Sequence, residues 1–138
     1  MKTTRRRFFA GMAVLAASAV PSHAKGVLTA TEAFAKAATG KITLIDIRTP
    51  EEWAETGTAA GAQRLDMRRD DFVSALDKLI GGDRTNPIAL ICARGVRSSR
   101  LSRTLREAGF TNIIDVPEGM LGSYAGPGWI ERGLPVAR

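Results

Sequence analysis

Three runs, KITLIDIR (41–48), IALIC (88–92) and NIIDV (112–116), are apolar and largely β-branched, with little of the alternation that marks a sheet facing water. Strands of this kind are covered on both faces, and helices packed on a parallel sheet supply that cover. The stretches between the runs carry helix signals, and 138 residues suit one domain. The predicted fold is therefore α/β, a small, central, mostly parallel sheet flanked by helices.

Thr29 and Glu32 stand at capping-box spacing before Ala33, Phe34 and Ala37, with Gly40 as a stop. Thr49, Pro50 and Glu52 announce a second helix that Gly57 closes. Phe72, Leu76 and Leu79 recur at helical spacing before Gly81 and Gly82. Ser98 reads as the N-cap of a further helix that places Leu101, Leu105 and Ala108 on one face, with Arg100, Arg103 and Arg106 elsewhere and Gly109 as the stop. A short strand is expected over 62–65. The segment EGMLGSYAGPGWIERGLPV (118–136) reads as helical turns broken by glycine and proline.

The first residues have a different character. MKTTRRRFF is basic, AGMAVLAASAV is apolar and small, and PSHA ends in a small-x-small pattern before Lys25. Residues 1–24 are read as a cleavable export signal and 25–138 as the domain. The apolar run from Phe8 to Val20 is short for a bilayer span, so no span is expected in the mature chain. TRRRFF resembles a twin-arginine signal, which implies a periplasmic protein exported already folded.

Loss of that leader removes Lys2, Arg5, Arg6 and Arg7 and no acid, so the formal charge falls from +6 to +2. Nucleic-acid binding loses its main support, because such domains usually keep a strong basic excess. The only histidine, His23, leaves as well. A chain with one cysteine and no histidine builds no His/Cys zinc site, no Cys-His pair and no Ser-His-Asp triad. One cysteine also forms no intramolecular disulfide.

That cysteine, Cys92, ends the apolar run 88–92 and opens CARGVRSS. In open parallel sheets, ligands sit beyond the carboxyl ends of strands, where loops enter helices. Backbone N–H groups of a tight glycine-containing loop converge on an anion, and the following helix adds partial positive charge. Both favour thiolate over thiol, and Arg94 and Arg97 act in the same direction if they face the sulfur. A lone cysteine at a strand end is also a common small core residue. The nearby glycine, two arginines and immediate helix start favour the functional reading.

CARGVRSS resembles the active-site loop of the rhodanese family of sulfurtransferases. LIDIRTPEEWAETGTAAGA resembles that family's Asp-x-Arg, Glu-Glu-aromatic and Gly-x-x-x-Gly-Ala stretch, with Thr58 where many members carry histidine. The segment around Met120 and Trp129 resembles its C-terminal Gly-Met and Trp motif. The resemblance implies that Cys92 takes sulfane sulfur from a small anionic donor such as thiosulfate, and passes it to cyanide, a thiol or a protein acceptor. It makes Ala93, Arg94, Gly95, Val96, Arg97 and Ser98 the substrate-binding loop, with Asp46 and Arg48 as structural support. No cofactor and no metal are expected. Trp53 and Trp129 are read as packing residues.

Two rival readings remain. A persulfide-carrying binding module for a partner protein would share the loop. A cysteine phosphatase or arsenate reductase needs an arginine six residues after the nucleophile; that position is Ser98, and Arg97 is the fifth. A disulfide oxidoreductase lacks its second cysteine.

Overall fold

The computed structural model describes residues 26–138; the proposed leader lies outside them. In chain order the elements are α1 (Ala30–Ala38), β1 (Thr43–Asp46), α2 (Pro50–Thr56), β2 (Thr58–Ala59), β3 (Gln63–Arg64), α3 (Phe72–Leu79), β4 (Ile88–Ile91), α4 (Val96–Glu107), β5 (Ile113–Asp115) and β6 (Val136–Ala137). Four strands form a parallel sheet in the order β3-β1-β4-β5. The fold is α/β, as the unalternated runs predict.

The pleat divides those runs between two cores, since successive side chains point to opposite faces. Ile45, Ile47, Ile88, Leu90 and Cys92 face α3 and α4, where Phe72, Leu76, Leu101, Leu105 and Phe110 meet them. Leu44, Ala89 and Ile91 face the other way, against Ala30, Ala33, Met120 and Trp129. Fully burying one such side chain stabilises the fold by roughly 1.5–3 kcal/mol, so both faces are anchored by helices that the sequence signals placed.

Local chemistry sets the helix starts. Thr29 and Glu32 exchange side-chain and backbone hydrogen bonds, and Thr49 and Glu52 do the same, giving two reciprocal capping boxes. The edge strand β5 is partly closed: Asp115 pairs with the backbone of Gly26 and Leu28, and an Arg106 Nη donates to the Ile113 carbonyl at 3.1 Å.

Several expectations need correction. The inner face of α3 runs Phe72, Leu76, Ile80, and Leu79 is exposed, because spacing of four brings each residue back over the sheet. Ala108 is the exposed C-cap of α4, and Phe110 enters the core in its place. The N-cap of α4 is Gly95, not Ser98, and Ser98 lies buried in the first turn. The C-terminal segment forms turns, then β6, which pairs antiparallel with β2 through Thr58 opposite Ala137 and Ala59 opposite Val136.

Candidate active site

Strands β1 and β4 end side by side, with Asp46 paired to Ile91. Cys92 follows β4 directly. Its Sγ accepts hydrogen bonds from the Gly95 N–H at 3.1 Å and the Ser98 N–H at 3.4 Å, and the Ser98 hydroxyl lies at 3.4 Å. The Ser98 Oγ–H donates to the Gly95 carbonyl at 3.2 Å. Two amide donors, one from the loop and one from the first turn of α4, thus converge on one sulfur atom, the arrangement that stabilises developing negative charge on it. Cys92 is 1% exposed, so the sulfur sits at the bottom of its loop rather than on the surface.

Gly95 makes this curl of backbone possible. Its φ of +85° lies in the left-handed region, and a Cβ there would run into the Pro117 carbonyl. The segment after β5 also braces the loop, with Met120 N–H donating to the Cys92 carbonyl and Leu121 N–H to the Ala93 carbonyl, both at 2.9 Å. The donors around Sγ are therefore held from two sides before any ligand arrives.

The two loop arginines point their charge elsewhere. Arg97 makes a bidentate pair with Glu52 of α2 at 2.7 and 2.9 Å. Those bonds hold the Glu52 carboxyl down at about 2, well below the ordinary 4.5. Arg94 donates to the carbonyls of Leu121 and Gly122 at 3.3 and 3.2 Å. Val96 is 67% exposed on the rim, whereas Gly95 and Ser98 are buried. Ala93, half-buried, contributes the carbonyl that Leu121 holds.

Asp46 and Arg48 form a buried ion pair at 2.8 Å, with both side chains at 1% exposure or less. Arg48 also donates to the Thr56 hydroxyl and the Gly57 carbonyl, each at 2.9 Å, tying the end of α2 to the sheet. Thr58 is buried in β2, and its hydroxyl accepts from Arg64 Nε at 2.7 Å. Trp129 is fully buried, packs edge-on against Phe34 at 5.8 Å, and donates to the Pro135 carbonyl at 2.7 Å. Trp53 is half-buried beneath the Arg64 guanidinium.

Two residues near the site carry more than their sequence context shows. Glu52 looks complete as a capping residue, yet it also holds Arg97. Asp115, at the end of β5, is buried, has an Oδ1 without a partner among the described residues, and has its carboxyl pushed up by that burial. An acid ending a buried strand beside a cysteine loop is the signal that marks it.

The fold and site define an α/β domain with a cysteine set in a backbone-lined anion loop between a parallel strand and a helix. This chain belongs to the rhodanese-like domain family, whose sequence profile matches residues 29–124. It is similar to thiosulfate sulfurtransferase 16 of the Arabidopsis thaliana chloroplast, 30% identical over 100 residues that cover 66% of this chain and 76% of that one. It is 36% identical over 92 residues to the uncharacterised protein YqhL of Bacillus subtilis, covering 66% and 68% of the two chains. Among solved structures it is similar to the homodimeric polysulfide-sulfur transferase of Wolinella succinogenes, with a TM-score of 0.63, 30% identity and coverage of 82% and 78%. Membership of this family, with sulfurtransferases among its relatives, supports sulfur transfer as the general activity. No helix among the described residues is long and apolar enough to cross a membrane.

Proposed function

We propose that the domain is a sulfurtransferase that moves sulfane sulfur from thiosulfate or a related anionic donor, through a persulfide on Cys92, to cyanide or a thiol. The observation that carries this reading is the convergence of the Gly95 and Ser98 amides on one sulfur atom. In the first step the Cys92 thiolate attacks the outer sulfur of thiosulfate. A new S–S bond forms, the old one breaks, and sulfite leaves with its electron pair. In the second step cyanide attacks the terminal sulfur and leaves as thiocyanate, or a thiolate leaves as a persulfide, and the Cys92 thiolate returns. No net oxidation and no general base is needed, because the loop donors balance the negative charge on sulfur throughout.

The phosphatase reading fares worse. The sixth residue after Cys92 is Ser98, and the Arg97 guanidinium is committed to Glu52, so no arginine fork stands over the sulfur to hold a phosphoryl group. The loop curls around one atom, which suits a single sulfur.

An intact-mass measurement tests the proposal. Thiosulfate should add one sulfur atom to the protein, cyanide should remove it with release of thiocyanate, and Cys92→Ser should show neither while keeping its circular-dichroism spectrum. Catalytic thiocyanate release identifies an enzyme; a stable persulfide that only another protein discharges would identify a carrier. Sulfur uptake by Cys92→Ser would overturn both. We also infer export to the periplasm, on the pattern of residues 1–24 alone; N-terminal sequencing of protein from the periplasmic fraction should begin near Lys25.

A further inference from the structure

One face of the molecule borders the Cys92 loop and extends well beyond it. Two adjoining clefts, of about 520 and about 320 Å³, run between α4 and the end of β5, and share Ser99, Arg103 and Asp115 along their walls. Arg106 lies in the larger, and Arg94, Arg100 and Tyr124 in the smaller. Helix α4 has no acid before Glu107 to balance its four arginines. Arg97 is taken by Glu52 and Arg106 by the Ile113 carbonyl. The guanidinium groups of Arg100 and Arg103 have neither a hydrogen-bond nor an ion-pair partner among the described residues.

Most other described arginines are engaged: Arg48, Arg68, Arg69, Arg84, Arg97 and Arg132 each hold a carboxylate, and Arg64 and Arg94 donate to a hydroxyl or a carbonyl. Two unpaired guanidinium forks three residues apart on a helix face present planar donors suited to carboxylates. Asp115 is the one carboxylate lining the clefts, and it is buried beneath them. The smaller cleft also reaches Gly95 and Val96, so whatever lies in it touches the loop that bears Cys92. Tyr124 is fully exposed and Val96 is 67% exposed at the same end, offering apolar contact beside the charge.

We propose that this groove docks an acidic segment of a partner protein, held by Arg100 and Arg103 and delivered against the Cys92 loop. That the partner gives or takes sulfur rests on the function proposed above; the docking itself does not. Charge complementarity names the occupant. A nucleic-acid strand is less favoured because, once the five basic residues of positions 1–25 are set aside, 15 Lys and Arg face 14 Asp and Glu. Tyr124 is the only aromatic ring along the clefts for bases to stack on.

Fluorescence anisotropy on the full chain tests the docking. The probes are a labelled, cysteine-free peptide of alternating Asp and Glu, its Asn and Gln counterpart, and a short oligothymidylate. The acidic peptide should bind about tenfold tighter than the neutral one at low salt and lose that advantage as salt rises. Arg100→Gln with Arg103→Gln should erase the preference while thiosulfate and cyanide turnover stays within about twofold, since a rim charge acts on encounter rather than on chemistry. Equal binding of the two peptides, a preference that survives the double substitution, or tighter binding of the oligothymidylate would each overturn the proposal. The wild-type salt dependence stands even if the double variant folds poorly. Anisotropy involves no sulfur chemistry, so peptide preference without turnover would remove the sulfurtransferase and leave the groove. Turnover without preference would do the reverse.

Discussion

The loops that leave β1 and β4 begin beside each other, and both bury a polar group at the strand end by opposite means. After β1, the Arg48 guanidinium is matched by Asp46, Thr56 and Gly57 until no nitrogen is left without a partner. After β4, Cys92 meets no charged partner: two amides donate to its sulfur, and the Ser98 hydroxyl oxygen accepts from the thiol. A charge neutralised on the spot fixes geometry and has nothing further to bind. Neutral donors gathered on one atom hold their geometry and still welcome an incoming negative charge. The difference separates a strut from a receptor, although both are buried and both sit at the active end of the sheet.

Breaking the strut gives the largest effect. Asp46→Ala strands a buried guanidinium, and urea denaturation should show a loss of about 3–5 kcal/mol; a loss below about 1 kcal/mol would mean that water replaces the carboxylate. Gly95→Ala attacks the receptor through its backbone. The left-handed φ and the Pro117 carbonyl leave no room for a methyl group, so a loss of about 2 kcal/mol is expected, with sulfur uptake slowed by about tenfold or more. Unchanged uptake kinetics would show that the loop curls without the glycine.

Arg97→Ala sharpens the contrast, because Arg97 bridges the two loops by holding Glu52. Steady-state kinetics should show kcat and kcat/KM for thiosulfate lowered together by about two- to fivefold with KM nearly unchanged, the sign of a loosened loop. A KM raised about fivefold with kcat unchanged would show instead that Arg97 leaves Glu52 to hold the donor. The smallest effect lies in acid. Glu52 has its folded value near 2 against an ordinary 4.5, so its pairing with Arg97 stabilises the fold above about pH 5, and that contribution fades as pH falls through 4.5 towards 2. Both side chains are partly exposed, at 28% and 36%, so the contribution is about 1 kcal/mol at most. Glu52→Gln should flatten that limb of the stability curve; an identical acid limb in both proteins would place the loss elsewhere.

What the sequence reveals follows the range of each interaction. Both capping boxes are legible because Thr29 with Glu32, and Thr49 with Glu52, act across three residues. Strands β1, β4 and β5 are legible because burial on two faces forces continuous apolar runs. The pairing of β2 with β6 is not, since two-residue strands leave no periodic pattern and the two partners are separated by more than half of the chain. Ser98 has the side chain of an N-cap, but the turn needs a left-handed residue three positions earlier, and Gly95 takes the cap. Cys92 and its amide donors are readable from a glycine before a helix. The Arg97 partner is not, because the cap already explains Glu52.

The late position of Trp129 in the chain also has a bearing on biosynthesis. The face of the sheet that carries Leu44, Ala89 and Ile91 is covered by Met120 and Trp129, and Trp129 is in turn fastened to Pro135 just ahead of β6. A ribosome delivers α1 and the α3 and α4 side of the sheet first, and the part of the opposite side that Met120 and Trp129 cover stays open to water and to other chains until the final residues emerge. The nascent protein therefore passes through a stage with one finished core and one half-covered apolar surface, which only the last residues close.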